Sequence, residues 1–387
     1  MRLLVATSSY PVQGNPVAGK FVRTNVEALE AKDIQCTVLR PGPAKNTESP
    51  EFQPAIVEVP IREEGPGSFL GVGFPETFQT SPLPAFLDLL RCIRGMGREL
   101  YRRRHEADAI LAHWAVPAGL AAVLASYFPI GASSQPPILL WLHSSDVYAL
   151  ERLPGGNVLA RILHARSKFI FAVSRDLALR FSTLSGNPKT ITVMHPGIPT
   201  SHAPPPPPSK SLRAIFVGRL ESIKGVELIP YLARQMPDWH FTIVGAGSQL
   251  GKVMASSTQL ENLQIIPGLP PEQVRDEIIR NNLLILPGSR HPKGRTEGLP
   301  TVLLEALDAG RPVIAPRSGG VEELVTKECG YLVEPGSKKE ILNALQDYEQ
   351  DLNHWSERTP KLHQRAESYS AKAAATRIYG LLKTLQK

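Results

Sequence analysis

HPGIPTSHAPPPPPSKSLRAIFVGRLESIKGVELI, residues 195–229, divides the chain in two. Five consecutive prolines, 204–208, can join neither a helix interior nor the middle of a sheet. The apolar run 214–217, the glycine at 218 and the helix-length segment 226–235 then read as strand, tight loop and helix. Strand-helix alternation thus resumes directly after the prolines. A semi-rigid hinge between two domains is therefore favoured over a ligand for a proline-binding module.

The same alternation runs outward on both sides. Before the prolines, the spans 3–7, 36–39, 109–113, 138–142, 169–173 and 191–194 read as strands. A helix is expected at 21–31, where Val22, Val26 and Leu29 share a stripe. After them, strands are expected at 214–217, 241–244, 264–266, 283–286, 312–315 and 331–333, with helices at 226–235, 271–280, 300–309 and beyond 337. The expectation is an α/β chain of two doubly wound domains, in which ligands occupy crevices at the carboxyl ends of the strands. The domains are placed at 1–195 and 211–365, joined by a linker at 196–210, with a C-terminal helix at 366–387 packing back towards the first domain. Residues 41–84, with nine prolines, read as an irregular excursion of that domain.

A length of 387 residues exceeds what one hydrophobic core holds, and 42% apolar with 20% charged residues is ordinary globular composition. Cys36, Cys92 and Cys329 are few and widely spaced, so neither a disulfide framework nor a zinc site is indicated. No Asp, Glu, Lys or Arg lies between Asp108 and Asp146, but Pro117, Gly119, Pro129 and Pro136 break that stretch into strand, helix and strand. The apolar run near the amino terminus is too short for a signal-peptide core, and a cytoplasmic location is expected. A net charge of +7 suits an anionic partner.

Chemistry concentrates in the second half. In RTEGLPTVLLEALDAGRPVIAPRSGGVEELV, residues 295–325, a polar loop leads to Pro300 at the start of a helix that Gly310 closes. Glu297 stands just before that helix, whose free N–H groups face the cleft, and Glu305 about one and a half turns inside it, so one carboxylate and several amides surround a single polar ligand. Taken alone, such a constellation reads equally well as a capped helix with two surface glutamates. Arg219 and Lys224 flank the loop after the first strand of this half, where two cations suit a diphosphate. No D-x-D occurs, so a carboxylate-held divalent ion is not suggested and no cofactor is expected. VGAGSQLG, residues 244–251, has one residue too many between its glycines for a dinucleotide fingerprint.

With these residues in place, the chain resembles glycosyltransferase family 4, the large retaining GT-B family. The E-x7-E pair is matched by Glu297 and Glu305, and the G-R-x-x-x-x-K-G loop by Gly218, Arg219, Lys224 and Gly225. In the first half, LHSSDVY (142–148) resembles the family's H-G-S-D-V stretch and AHWAVPAGLAA (112–122) its H-W-x-x-P-x-G segment. SSYPVQGNPVAGKFVRTNVEALEAKD (8–33) resembles its amino-terminal glycine loop. The departures are His195-Pro196-Gly197 where N-G-x-D is common, and a single glycine, Gly19, where many members have two.

The resemblance implies two Rossmann-like domains facing a central cleft and metal-independent, retaining transfer from a nucleotide-sugar donor, a UDP- or GDP-sugar, to a carbohydrate or lipid-linked acceptor. Arg219 and Lys224 would hold the diphosphate and Glu305 the ribose. Glu297 and the amides of Gly298, Leu299 and Thr301 would contact the sugar. His143 would face the sugar, supported by Asp146, and Gly19 would let backbone approach the phosphates. His113 reads equally as a core histidine or an acceptor-side residue. A sugar-nucleotide epimerase of the same architecture and a non-catalytic sugar-nucleotide binder are the rival readings.

Arg91, Arg94, Arg98 and Arg102 recur at helical spacing and are placed opposite Leu87, Leu90, Ile93 and Leu100. A solvated face is favoured, for want of apolar residues to spare for lipid, and contact with an acidic membrane is the alternative. Nucleic acid is not expected, since no aromatic stacking surface accompanies the arginines.

Overall fold

The computed structural model describes residues 1–11, 18–42, 54–61, 81–127, 135–188, 190–201, 206, 211–289 and 299–385. The chain forms two compact units, one of Met1–Gly197 with Ala371–Lys387, the other of Ile198–Ser370.

The first unit is built on a parallel sheet of β1 (Arg2–Ala6), β2 (Gln35–Gly42), β3 (Ala55–Pro60), β4 (Ala109–His113), β5 (Ile138–Leu142), β6 (Ser167–Ala172) and β7 (Thr192–Val193). Their order is β3-β2-β1-β4-β5-β6-β7. Its helices are α1 (Lys20–Glu30), α2 (Pro82–Arg102), α3 (Leu120–Ser126), α4 (Ser145–Arg152), α5 (Gly156–Arg166) and α6 (Arg175–Ser185). The strand order reverses direction between β1 and β4, so the loops leaving those strands open a crevice at their carboxyl ends. β4 and β5 are buried along their whole length, as their unbroken apolar sequence requires of a sheet covered on both faces.

The second unit repeats the plan with β8 (Arg213–Val217), β9 (His240–Val244), β10 (Leu263–Ile266), β11 (Leu283–Ile285), β12 (Val313–Pro316) and β13 (Gly330–Val333). They are ordered β10-β9-β8-β11-β12-β13, with the switch between β8 and β11. Helices α7 (Ile229–Gln235), α8 (Leu250–Ser256), α9 (Pro271–Arg280), α10 (Thr301–Asp308), α11 (Val321–Leu324), α12 (Lys338–Gln350) and α13 (Leu352–Glu367) complete it. The final helix, α14 (Ala371–Leu385), places Ala374, Ala375, Ile378 and Leu382 in the core of the first unit, against α1.

Each of the twelve spans read as strands is a strand, and both sheets are doubly wound. Two expectations are corrected. Residues 41–84 are not wholly irregular: β3 pairs with β2 from Thr37↔Ala55 to Gly42↔Pro60, and α2 begins at Pro82. Prolines hide β3 because they flank it, and an edge strand tolerates its own Pro60. The second correction concerns Leu87 and Leu90, which lie on the same exposed side of α2 as the arginines, not opposite them. Among the described residues, no helix is long and apolar enough to cross a membrane.

Arg311 is the structural cation of the second unit. It is buried, and its guanidinium donates to the carbonyls of Asn281 (2.7 Å), Ile279 (2.7 Å), Ala309 (3.2 Å) and Pro206 (2.8 Å). It thereby satisfies carbonyls at the ends of α9 and α10 and fixes a residue of the proline run. Burial pulls its pKa down to about 10, which leaves it charged at neutral pH. Arg311→Met would strand several buried carbonyls, so it is expected to lower the stability of this unit by about 2–4 kcal/mol in scanning calorimetry. An unchanged transition would contradict the role.

Candidate functional site

The residues after β8 form the first half of a site in the second unit. Gly218 donates its N–H to the Val244 carbonyl at 3.0 Å, and Leu220 donates to Ala246 at 2.8 Å, so the chain leaves β8 bound to the loop after β9. Gly245 and Gly247 allow this approach, since a Cβ at either would lie 1.9 Å from Gly218 O and 2.6 Å from Leu220 O respectively. The glycines of VGAGSQLG thus have a packing explanation.

Beyond Arg219 the chain makes a single 3-10 turn, Ser222–Lys224, and passes through Gly225 at φ 69°. Here it meets the loop that leaves β11. Gly288 N–H donates to Lys224 O and Ser289 N–H to Ile223 O, both at 3.0 Å, while Ser289 Oγ donates to Ser222 O at 2.6 Å. A Cβ on Gly225 would stand 2.4 Å from Gly288 O, so only glycine fits. The β11 loop continues towards α10. Parallel neighbours β8 and β11 therefore bring the Arg219/Lys224 loop and the start of the β11 loop, Gly288 and Ser289, together at the carboxyl end of one sheet.

α10 is buried along its length except at Thr301 and Glu305. Four residues apart, these two share one face. Pro300, extended at φ −61° and ψ 123°, precedes the helix, and Gly310 at φ 64° follows its end. Leu299 is buried. Glu297 and Gly298 lie outside the described residues.

In the first unit, the carboxyl ends of β4 and β5 and the first turn of α1 converge on His143. Its ring Nε2 lies 2.9 Å from His113 Nδ1, and the two rings stack with centroids 5.1 Å apart. Phe21, Trp114 and Trp141 pack round it, with centroids at 5.1, 4.6 and 6.1 Å. Asp146, buried in the first turn of α4, accepts from the backbone N–H of Ala115 (2.7 Å) and of His143 (3.1 Å). It ties the β4 and β5 loops together.

Burial brings the His113 pKa down to about 3, and burial, with His113 and His195 nearby, holds His143 well below its usual value. Both rings are neutral at neutral pH, so one donates and the other accepts. Burial raises the Asp146 carboxyl, opposed by the backbone N–H groups it accepts from.

The sequence singled out Gly218, Arg219, Lys224, Thr301 and Glu305 in one unit; in the other the family resemblance implied roles for His143 and Asp146, and His113 read equally as a core or an acceptor-side residue. Gly218, Arg219 and Lys224 follow β8 and Thr301 and Glu305 lie on α10, after the neighbouring strand β11, while His113 ends β4 and His143 and Asp146 follow its neighbour β5. Gly19 caps α1 at φ 63°, and a Cβ there would lie 2.2 Å from Ser9 O. The close approach that requires a glycine is thus to the chain's own backbone. Ser144, standing where the family stretch carries glycine, adopts φ 101°, a strained conformation for a serine. The aromatic wall of Phe21, Trp114 and Trp141 was missed, as was His195, which is buried and accepts from Gly197 N–H at 3.0 Å. Only the bulk of His113-Trp114 hinted at it.

Comparison with known proteins covers both units. Residues 18–202 match the model described as Glycosyltransferase Family 4, and residues 198–370 match Glycosyl transferases group 1. The Bacillus subtilis glycosyltransferase TuaC, assigned to teichuronic acid biosynthesis, is 27% identical over 91% of this chain and 90% of its own. Sucrose-phosphate synthase from Thermosynechococcus elongatus superposes with a TM-score of 0.73 at 16% identity, over 100% of this chain and 99% of its own. HepE of Anabaena, in complex with UDP and glucose, superposes with a TM-score of 0.72 at 18% identity, over 99% of both chains.

The two neutral histidines set a pH dependence. In the unfolded chain each would protonate below about pH 6.5, while in the folded chain His113 resists down to about 3. Between those values the unfolded state binds more protons, so stability falls as pH falls through that window. Asp146, with its pKa raised, acts in the opposite sense above its unfolded value of 3.8. Melting temperatures measured near about pH 7.5 and about pH 5 should therefore drop for the wild type and drop less for His113→Phe. Equal drops would contradict the neutral, buried state of His113.

Proposed function

The chain belongs to glycosyltransferase family 4, and we propose that it is a retaining, metal-independent enzyme that moves a sugar from a nucleoside diphosphate to a hydroxyl of a polysaccharide or lipid-linked acceptor. The observation that carries this reading is the backbone lacing of residues 222–225 to 288–289. It holds the loop bearing Arg219 and Lys224 beside the segment that leads to α10.

Arg219 and Lys224 bind the diphosphate and offset the charge that grows on it as the bond to the sugar breaks. Cations fixed by backbone do this without reorganising at the moment of reaction. Glu305, on the open face of α10 with Thr301, accepts from the ribose hydroxyls. Glu297 and the amides of Gly298, Leu299 and Thr301 take the sugar hydroxyls, with the helix N-terminus favouring oxygen-rich groups. His143, held neutral, can donate to or accept from a sugar hydroxyl, and Asp146 positions it through its backbone N–H. The acceptor oxygen bonds to the anomeric carbon on the face from which the diphosphate departs, and its proton passes to a phosphate oxygen.

UDP is the favoured nucleotide because HepE, of the same fold, was solved with UDP and glucose. GDP is the alternative. A polysaccharide acceptor follows the relationship to TuaC. Membrane proximity of a lipid-linked acceptor is compatible with the exposed face of α2.

Incubation with UDP- and GDP-sugars in the presence of a chelator should release nucleoside diphosphate. Lys224→Ala should lower kcat/KM by roughly 10- to 150-fold, the worth of one charge-assisted hydrogen bond. Donor conversion without diphosphate release would indicate an epimerase instead. Full activity of Lys224→Ala, or loss of wild-type activity on chelation, would overturn the assignment.

A further inference from the structure

α2 carries a surface that glycosyl transfer does not use. Among the described residues, ten large apolar side chains are exposed, and four of them fall on its first turns: Leu83 (68% exposed), Phe86 (43%), Leu87 (45%) and Leu90 (47%). The opposite side of the helix, with Ala85, Leu89, Cys92, Met96 and Leu100, is buried in the first unit. At 3.6 residues per turn, the four apolar residues and Arg91, Arg94, Arg98 and Arg102 occupy one arc of roughly 160°. Along it the first ~10 Å are apolar and the next ~16 Å basic.

The charges are unevenly engaged. Arg91 pairs with Asp88 and Arg102 with Glu99, at 3.0 Å for the latter, whereas Arg94 and Arg98 make no ion pair among the described residues. An apolar stretch continued by unpaired guanidinium groups on one convex face needs a partner that offers hydrocarbon and negative charge side by side. An anionic bilayer does so everywhere on its surface, with phosphates lying over acyl chains.

The geometry points to α2 as a docking face for an anionic lipid bilayer. Leu83, Phe86, Leu87 and Leu90 enter the boundary between headgroups and acyl chains, and Arg94 and Arg98 hold the phosphates. This surface belongs to the first unit alone and does not depend on the chain being a transferase.

The test is flotation of the full chain with vesicles of phosphatidylglycerol and phosphatidylcholine, and with phosphatidylcholine alone. Binding is expected to the anionic vesicles only. Arg94→Gln with Arg98→Gln should weaken it about thirtyfold, from the loss of two headgroup cations. Leu83→Ser with Leu87→Ser should weaken it by at least about tenfold. Phe86→Trp, its emission taken as the difference from wild type, should shift to the blue on binding, while the far-UV circular dichroism and melting temperature of all variants stay at the wild-type level and report intact folding. Absence of binding, equal binding to neutral vesicles, or wild-type self-association that these substitutions abolish would overturn the proposal.

Discussion

Gly225 rests against the carbonyl of Gly288 so closely that no side chain fits between them. Around that contact, two N–H···O bonds and one serine hydroxyl bond join residues that are more than sixty positions apart. Everything proposed for the second unit depends on this junction. Without it, Lys224 would sit on a loose surface loop, where a cation contributes little and is screened by salt. With it, Arg219 and Lys224 are held beside the segment leading to the one helix whose open face carries Glu305.

The first unit achieves rigidity by a different route. Its polar groups are held by an aromatic box and by a buried carboxylate that bridges two loops. Ser144 and Trp114 both adopt positive φ there, at 101° and 70°. Two strained residues flanking one histidine indicate that the surrounding packing dictates the backbone at this place.

Strand runs such as 109–113 and 138–142 are so apolar that a buried parallel strand is the natural reading, and the proline run marked the division between the halves. Side-chain periodicity was less forthcoming where it was interrupted. β3 was hidden by Pro54 and Pro60, and α2 was misread because Leu87 and Leu90 were assigned to the wrong side of the arginines. The residues Arg219, Lys224 and Glu305 could be named from spacing, but their lacing could not. Backbone contacts between Lys224 and Gly288 leave no pattern along a single chain. The His113–His143 pair was opaque for the same reason, since thirty residues separate the two rings.

The central claim is that backbone geometry, beyond the mere presence of two cations, creates the grip on a diphosphate. Calorimetric titration of UDP and GDP into wild type and Gly225→Ala, with chelator present, tests it directly. Both proteins keep Arg219 and Lys224, so the account predicts at least about tenfold weaker binding by the variant, whose new methyl group must push the loop off Gly288. Binding of equal strength by a folded Gly225→Ala protein would contradict it.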